Sequence, residues 1–121
     1  MRVELEFPPA DLFPNRKNGK HWAVTHGAKT TYRELCGWLT QEQVRKTGWK
    51  PREGDIELHL TFEMPDRRWR DADNCLAAAK AGLDGFADAL GVNDRQFQPL
   101  VIRRVLGAKP GKLVVEIKEN K

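Results

Sequence analysis

Apolar and polar residues alternate strictly in the middle of the chain, between Ile56 and Met64. Successive side chains of a β-strand point to opposite faces of the sheet. This pattern therefore predicts a strand over residues 55–64, with one face on a core and one polar face. Weaker patterns of the same kind predict three further strands, over residues 2–7, 98–106 and 112–118.

Two segments carry apolar residues at the spacing of an α-helix. The first covers residues 28–46 and ends before Gly48, and the second covers residues 74–90 and ends before Gly91. Glycine is common just beyond a helix because it adopts a positive φ without strain. Residues 10–27 show no clear period and contain proline, asparagine and glycine, so they are predicted to form a long ordered loop.

The predicted order of elements is β-α-β-α-β-β, in a single domain over residues 1–121. Two amphipathic helices on one apolar face of a four-stranded sheet make a two-layer α+β fold. The turn signal Lys109-Pro110-Gly111 predicts that the last two strands form a hairpin. The order of the strands within the sheet stays open at this point.

The composition suits an ordinary domain with a small positive excess. The 121 residues carry a formal net charge of +4, which permits a polyanionic partner without requiring one. No apolar run approaches the ~20 residues of a membrane span. The N-terminus also lacks the apolar stretch of a signal peptide, so we expect a cytoplasmic protein with no membrane partner. Two cysteines, and three histidines without ligand spacing, predict reduced thiols and no zinc site.

The densest cluster of charge lies between Asp66 and Asn74. Within it, Asp71 and Asp73 have a spacing that points both side chains the same way in an extended backbone. Two converging carboxylates repel unless a cation lies between them, and Mg²⁺ prefers such oxygen ligands. The alternative is that both only cap the second helix and interact with its dipole. Basic residues that would bind phosphates flank this pair or lie in the predicted loop: Arg67, Arg68, Arg70, Arg16, Lys17 and Lys20.

Asp94 and Lys80 are two further candidates, one after the second helix and one within it. The helix has ~17 residues and spans about 25 Å, so Asp94 lies far from Asp71 and Asp73 within one subunit. It joins them if the chain folds back or if the site is completed across a dimer interface; a simple Asn-Asp turn is the alternative. Lys80 shares a helix face with Asp73, where it would offset charge on a phosphate, or it pairs with Asp84 at i,i+4.

Trp22 and Trp69 lie inside basic segments. They are candidates for stacking on an unpaired base, although partial core burial is the commoner fate of tryptophan. The chain has no Gly-rich phosphate loop, no Cys-x-x-Cys pair and no nucleophile elbow. The acidic pair therefore remains the main candidate for chemistry.

The segment Met64-Pro65-Asp66-Arg67-Arg68-Trp69-Arg70-Asp71-Ala72-Asp73-Asn74 closely resembles the signature of RusA-type Holliday junction resolvases. Leu83-Asp84 and Asn93-Asp94 follow in the order expected of that family, and Pro8-Pro9 and Pro14-Asn15 resemble its N-terminal loop. The likeness covers most of the chain, and its specific part is residues 64–94.

The resemblance implies a homodimer that binds four-way DNA junctions and makes paired symmetric nicks with Mg²⁺ or Mn²⁺, in DNA recombination and repair. It implies three catalytic, metal-binding aspartates, which are Asp71, Asp73 and Asp94 here. Asn74, which follows the acidic pair in the motif, is assigned to DNA binding with the basic residues. The family's catalytic lysine lies four residues after the second aspartate, where this chain has Ala77. Either Lys80, one helical turn later on roughly the same side, takes that role, or the role is lost in this chain.

Two other classes of function remain open at this stage. In one, the protein is a basic nucleic-acid-binding module without catalysis, and its carboxylates are caps and ion-pair partners. In the other, it is a small structural protein whose positive charge is incidental. Incubation with junction DNA and Mg²⁺ separates the first from a nuclease, because a pure binder leaves the DNA intact.

Overall fold

Six main elements form the structure, a computed structural model that describes residues 1–14 and 22–119. In chain order these are the strand β1 (Arg2–Glu6), the helix α1 (Trp22–Thr47), the strand β2 (Ile56–Met64), the helix α2 (Ala72–Leu90), and the strands β3 (Phe97–Leu106) and β4 (Lys112–Lys118). Two short 3-10 turns lie at Ala10–Leu12 and Asp94–Gln96. The predicted order β-α-β-α-β-β and the α+β class are confirmed.

The prediction of a loop over residues 10–27 is wrong at both of its ends. Ala10–Leu12 form a 3-10 turn that buries Leu12, and α1 begins at Trp22 rather than at residue 28. The added turn of helix includes His26 and Gly27, which are exposed. Exposed residues such as these two need not follow an apolar stripe, so they add no period to the sequence.

The strand order β1-β4-β2-β3 shows that the predicted hairpin is wrong. β3 pairs with β2 in parallel, and β4 pairs antiparallel with both β1 and β2. The chain does turn at Lys109-Pro110-Gly111. This turn carries it across the end of β2, so β3 and β4 lie on either side of β2 and do not pair with each other. Gly107 N donates to Met64 O at 3.1 Å. Gly111 has φ +76, and a Cβ there would lie 2.8 Å from Glu63 O, so glycine is required by both conformation and space.

The segment from β2 to β3 is a β-α-β unit. Since β2 and β3 are parallel, α2 runs back along the sheet between them. The first turn of α2 therefore lies at the end of the sheet where β2 finishes. The last turn of α2 lies at the opposite end of the sheet, where β3 begins. This separation determines where the candidate catalytic residues lie.

The core lies between the two helices and one face of the sheet. The alternating apolar residues of β2 are fully buried there: Ile56, Leu58, Leu60, Phe62 and Met64. α1 and α2 approach closely at Gly85, where a Cβ would lie 2.2 Å from Arg33 O. Among residues 1–14 and 22–119, no helix is long and apolar enough to cross a membrane.

The helix layer covers β3, an edge strand, only in part, because Phe97 and Ile102 pack against the core while other apolar residues of this strand are exposed. The β3 residues paired with the buried positions of β2 point to the helical side of the sheet, yet Leu100 is 38% exposed and Leu106 is 56% exposed. Val105, on the other face, is exposed as well. Exposed apolar residues along an unpaired strand edge are typical of a surface that binds another protein chain.

Candidate active site

Residues 65–71 connect β2 to α2 and are called the connector here. The side chain of Asp66 holds this connector in place. Asp66 Oδ1 accepts a hydrogen bond from Arg68 N at 2.9 Å. The two carboxylate oxygens accept from Arg70 Nη1 and Nη2 at 3.1 and 3.2 Å. These contacts lower the pKa of Asp66, first through the Arg70 guanidinium and then through the Arg68 amide. The connector therefore enters α2 along one fixed path.

The Arg70 side chain packs inward, and only 15% of it is exposed. Its guanidinium lies 5.3 Å from the ring centroid of Phe7 and 5.7 Å from that of Phe13. It also donates to Arg68 O at 3.0 Å. Arg67 and Arg68, by contrast, are exposed. Of the three arginines predicted to bind DNA here, Arg70 is engaged within the protein, and its neighbours are available to a phosphate backbone.

Replacing Arg70 with alanine is expected to destabilise the fold by about 1–3 kcal/mol, because a charge-assisted hydrogen-bonded pair and two cation–π contacts are lost. Arg67→Ala, which truncates an exposed side chain, is the matched control. It should leave the melting temperature unchanged and weaken DNA binding with a shallower salt dependence. Thermal melts and DNA titrations at several salt concentrations measure both effects. Equal melting temperatures for the two variants would contradict the internal role of Arg70.

Asp71 and Asp73 lie at the N-terminus of α2, and both are exposed. Asp71 is the N-cap residue, with φ −65 and ψ 147, but its side chain makes no capping hydrogen bond. Asp73 Oδ1 accepts a hydrogen bond from Asn74 N at 3.0 Å. The capping alternative therefore accounts for the position of Asp71 but not for its side chain. Negative charge in the first helical turn also interacts favourably with the helix dipole.

Asp94 lies beside Lys80 rather than beside the acidic pair. Lys80 Nζ is 3.2 Å from Asp94 Oδ2 and 3.7 Å from Asp84 Oδ1. The pairing with Asp84 considered for Lys80 is therefore present, and Asp94 joins the two side chains in one small network. Asn93 caps the 3-10 turn that carries Asp94, accepting a hydrogen bond from Arg95 N at 2.9 Å. The backbone at Asp94 is thus fixed by local contacts.

The two halves of the predicted site are separated along α2. Lys80 lies seven residues after Asp73, which is about 10 Å along the helix axis. Its ammonium group contacts Asp84, one turn further on, and Asp73 and Lys80 line one open cavity along this face of the helix. Carboxylate oxygens have the chemistry that Mg²⁺ prefers. However, no group of three His, Cys, Asp or Glu able to hold a metal is found among residues 1–14 and 22–119 of the protomer.

The structure describes the side chains of only some of the remaining residues predicted to bind DNA. Asn74 is half-buried and lines a cavity with Asp71. Trp69 lines the same cavity and is 53% exposed, so it is not a core residue. The structure does not describe the side chains of four predicted binding residues: Arg16, Lys17, Lys20 and Trp22.

Arg104 is a site residue that sequence reasoning did not single out. Its guanidinium donates to Arg70 O at 3.0 Å and lies 5.7 Å from the ring centroid of Trp69. The only sequence signal was the basic pair Arg103-Arg104. Because β3 is parallel to β2, its end lies beside the start of α2, and this brings Arg104 to the connector.

Both cysteines are buried and unpaired, as predicted for reduced thiols. Burial raises the pKa of Cys36 to about 12. The pKa of Cys75, in the first turn of α2, is also raised, mainly by burial, and Arg104 and Arg70 oppose the shift. A raised pKa keeps a thiol protonated at neutral pH, so neither cysteine has the character of a nucleophile.

Comparisons with known proteins agree with the resemblance seen in the connector. The family model described as "Endodeoxyribonuclease RusA" matches residues 9–118. The chain is also similar to an uncharacterized protein of Xylella fastidiosa (strain Temecula1 / ATCC 700964). The two are 37% identical over 121 residues, covering 95% of this chain and 74% of that protein. The match spans both helices and β2 to β4, and with it the connector, the acidic pair and Asp94. The chain therefore belongs to the RusA family of endodeoxyribonucleases.

Proposed function

We propose that the protein is a Mg²⁺-dependent endodeoxyribonuclease that resolves Holliday junctions by paired symmetric nicks, in DNA recombination and repair. The observation that carries the proposal is the exposed pair Asp71 and Asp73 where the fixed connector enters α2, beside the exposed Arg67 and Arg68. Acidic oxygens that attract a divalent cation, next to cations that attract phosphates, are the two requirements of phosphodiester hydrolysis. The family to which the chain belongs points to the same chemistry.

The active protein is a homodimer in which each site combines residues of both protomers. Asp71 and Asp73 lie at one end of α2, and Asp94 lies beside its C-terminal half. A two-fold axis that sets two copies of α2 antiparallel would bring opposite ends of the two helices together. The exposed apolar residues of β3 supply a surface for such contact. Two equivalent sites in one dimer suit the two-fold symmetry of a four-way junction.

Asp71 and Asp73 of one protomer, with Asp94 of the other, would hold the Mg²⁺ ion; Mn²⁺, also an oxygen-preferring cation, would serve as well. When bound, the ion polarises the scissile phosphate and lowers the pKa of a water molecule. The fixed path of the connector keeps the two carboxylates in place, so little reorganisation is needed when substrate arrives.

Lys80 acts by positioning the third carboxylate and by adding positive charge near the reacting phosphate. Its ammonium is already 3.2 Å from Asp94 Oδ2, so the two side chains would enter the site together. Lys80 would then stand in for the lysine that the family has at the position of Ala77. Asp84 lies 3.7 Å from the same ammonium group, and its negative charge partly offsets the positive charge that Lys80 presents to a phosphate.

The DNA backbone is bound by the exposed basic residues around the connector. Arg67 and Arg68 would contact phosphates directly, and Asn74 would offer an amide to the bound strand. DNA contacts are also proposed for Arg16, Lys17 and Lys20, which are basic residues of the same domain of residues 1–121. Arg70 keeps its internal contacts with Asp66 and the two phenylalanine rings, and it thereby positions Asp71.

The direct test is cleavage of an immobile four-way junction labelled on each strand in turn. With Mg²⁺ we expect symmetric nicks in two opposing strands, and with excess chelator we expect binding without cleavage. A linear duplex of the same sequence is the control and should be cut at least about tenfold more slowly, because it lacks the two-fold branch point that engages both sites.

Two outcomes would overturn the proposal. A junction that is bound but stays intact with Mg²⁺ and with Mn²⁺ would identify a binding module without catalysis. Affinity for the junction no greater than for random duplex, and lost at modest salt, would indicate that the positive charge is incidental.

A further inference from the structure

A cavity of about 630 Å³ opens between the segment after β1 and the connector before α2. Its volume lies within the range of sites that bind small molecules. Its walls combine flat rings, guanidinium groups and one amide, and they include Phe7, Phe13, Arg68, Trp69, Asp71 and Asn74. The candidate metal ligand Asp71 is therefore part of the wall of this cavity.

The walls of the cavity present planar groups to whatever enters. Phe7 and Phe13 are stacked with their ring centroids 5.9 Å apart and an interplanar angle of 18°. The Arg70 guanidinium covers these two rings, as described above. Trp69 stands at the exposed side of the cavity, with the Arg104 guanidinium 5.7 Å from its ring centroid. Aromatic rings held by flanking guanidinium groups are well suited to stack on another flat ring.

We propose that this cavity receives one unpaired nucleobase of the branched DNA, stacked on Trp69, while the strand continues past Asp71. The proposal rests on the proposed function, because it takes the nucleotide to be a neighbour of the scissile phosphate. It assigns a base-binding subsite to each active site. It would also contribute to distinguishing branched DNA from duplex, since a base pair at a branch point opens at lower cost than one inside a continuous duplex.

Charge and hydrogen-bonding capacity favour a nucleotide over an apolar ligand. The exposed Arg68 offers a charged group for the phosphate of the bound nucleotide. Asn74 has both a donor and an acceptor, which match the edge of a base. A purely apolar ligand would make no use of either of these polar groups.

The test is a binding experiment in chelator, so that it does not depend on cleavage. One junction carries a single unpaired 2-aminopurine at the branch point, and a second carries an abasic residue there. We expect the wild-type protein to quench the 2-aminopurine fluorescence and to bind the first junction more tightly. Trp69→Ala should abolish the quenching and weaken binding of the first junction by about 5- to 150-fold, the range for loss of one stacked base. Binding of the abasic junction should not change.

Trp38→Ala is the matched control, because Trp38 is 56% exposed on α1 and is not among the residues that line the cavity. It should leave both affinities and the quenching unchanged. Equal wild-type affinity for the two junctions, or an equal loss for both in Trp69→Ala, would overturn the base-binding subsite while leaving the nuclease proposal intact. A protein that binds neither junction would instead overturn the proposed function itself.

Discussion

Asp73→Asn is expected to reduce junction cleavage by about a hundredfold or more while junction binding survives. The substitution keeps the size of the side chain and an oxygen that accepts from the amide of Asn74, but it removes the negative charge that would hold a divalent cation. Losing several kcal/mol of metal-assisted stabilisation in the transition state corresponds to a rate loss of this size. Single-turnover cleavage and gel-shift titration with the same labelled junction measure the two properties separately.

The matched control is Asp88→Asn on the same helix. Asp88 is also exposed, but it forms an ion pair with Arg33. Surface ion pairs contribute little to stability, so this variant should cut DNA at the wild-type rate. Unchanged nicking by Asp73→Asn would end the assignment of the acidic pair as the catalytic centre.

A mixture of two inactive variants, Asp73→Asn and Asp94→Asn, is expected to recover nicking. If each site takes Asp73 from one protomer and Asp94 from the other, a heterodimer has one doubly altered site and one intact site. Random exchange of equal amounts makes about half of all dimers heterodimers, so about a quarter of the wild-type number of sites is restored. The recovered product should be a singly nicked junction, because paired cuts need two intact sites in one dimer.

The experiment requires subunit exchange by mild denaturation and refolding before the assay, and each variant treated alone is the control. Recovery that grows with the mole fraction of heterodimer supports the shared site. No recovery, with exchange verified by differently tagged subunits, would show that Asp94 does not act across the two-fold axis.

Local sequence patterns predict the helices and strands of this fold, but they do not predict which strands pair with each other in the sheet. The alternation from Ile56 to Met64 identified β2 because every second side chain had to be buried. The helix over 74–90 was found nearly at its true bounds because an apolar stripe and Gly91 define it. The prediction of a hairpin is wrong because a turn signal indicates only that the chain reverses. It does not indicate which strand the chain pairs with next. Here the chain crosses the end of β2 before it pairs.

The sequence predicts which residue types make up the candidate site, and it says less about the contacts that these residues make. The length of the second helix implies that Asp94 lies far from Asp71 and Asp73 unless the chain turns back. In the structure Asp94 contacts Lys80, which is about 10 Å along the helix axis from Asp73. Arg70 resembled its exposed neighbours in sequence. Its role depends on Phe7 and Phe13, which come from the other side of the fold. Only a three-dimensional structure shows that these rings meet it.

The position of β4 in the sheet affects how the protein is assembled during synthesis. β4 lies between β1 and β2, so Val3 of β1 finds its partner Val115 only after nearly all of the domain has left the ribosome. Pairings this distant in sequence form late, because the chain between them loses much of its freedom when they close. A growing chain therefore leaves β1 without a sheet neighbour until β4 emerges. The endonuclease domain thus acquires its complete four-stranded sheet only once its last strand, β4, has been synthesised.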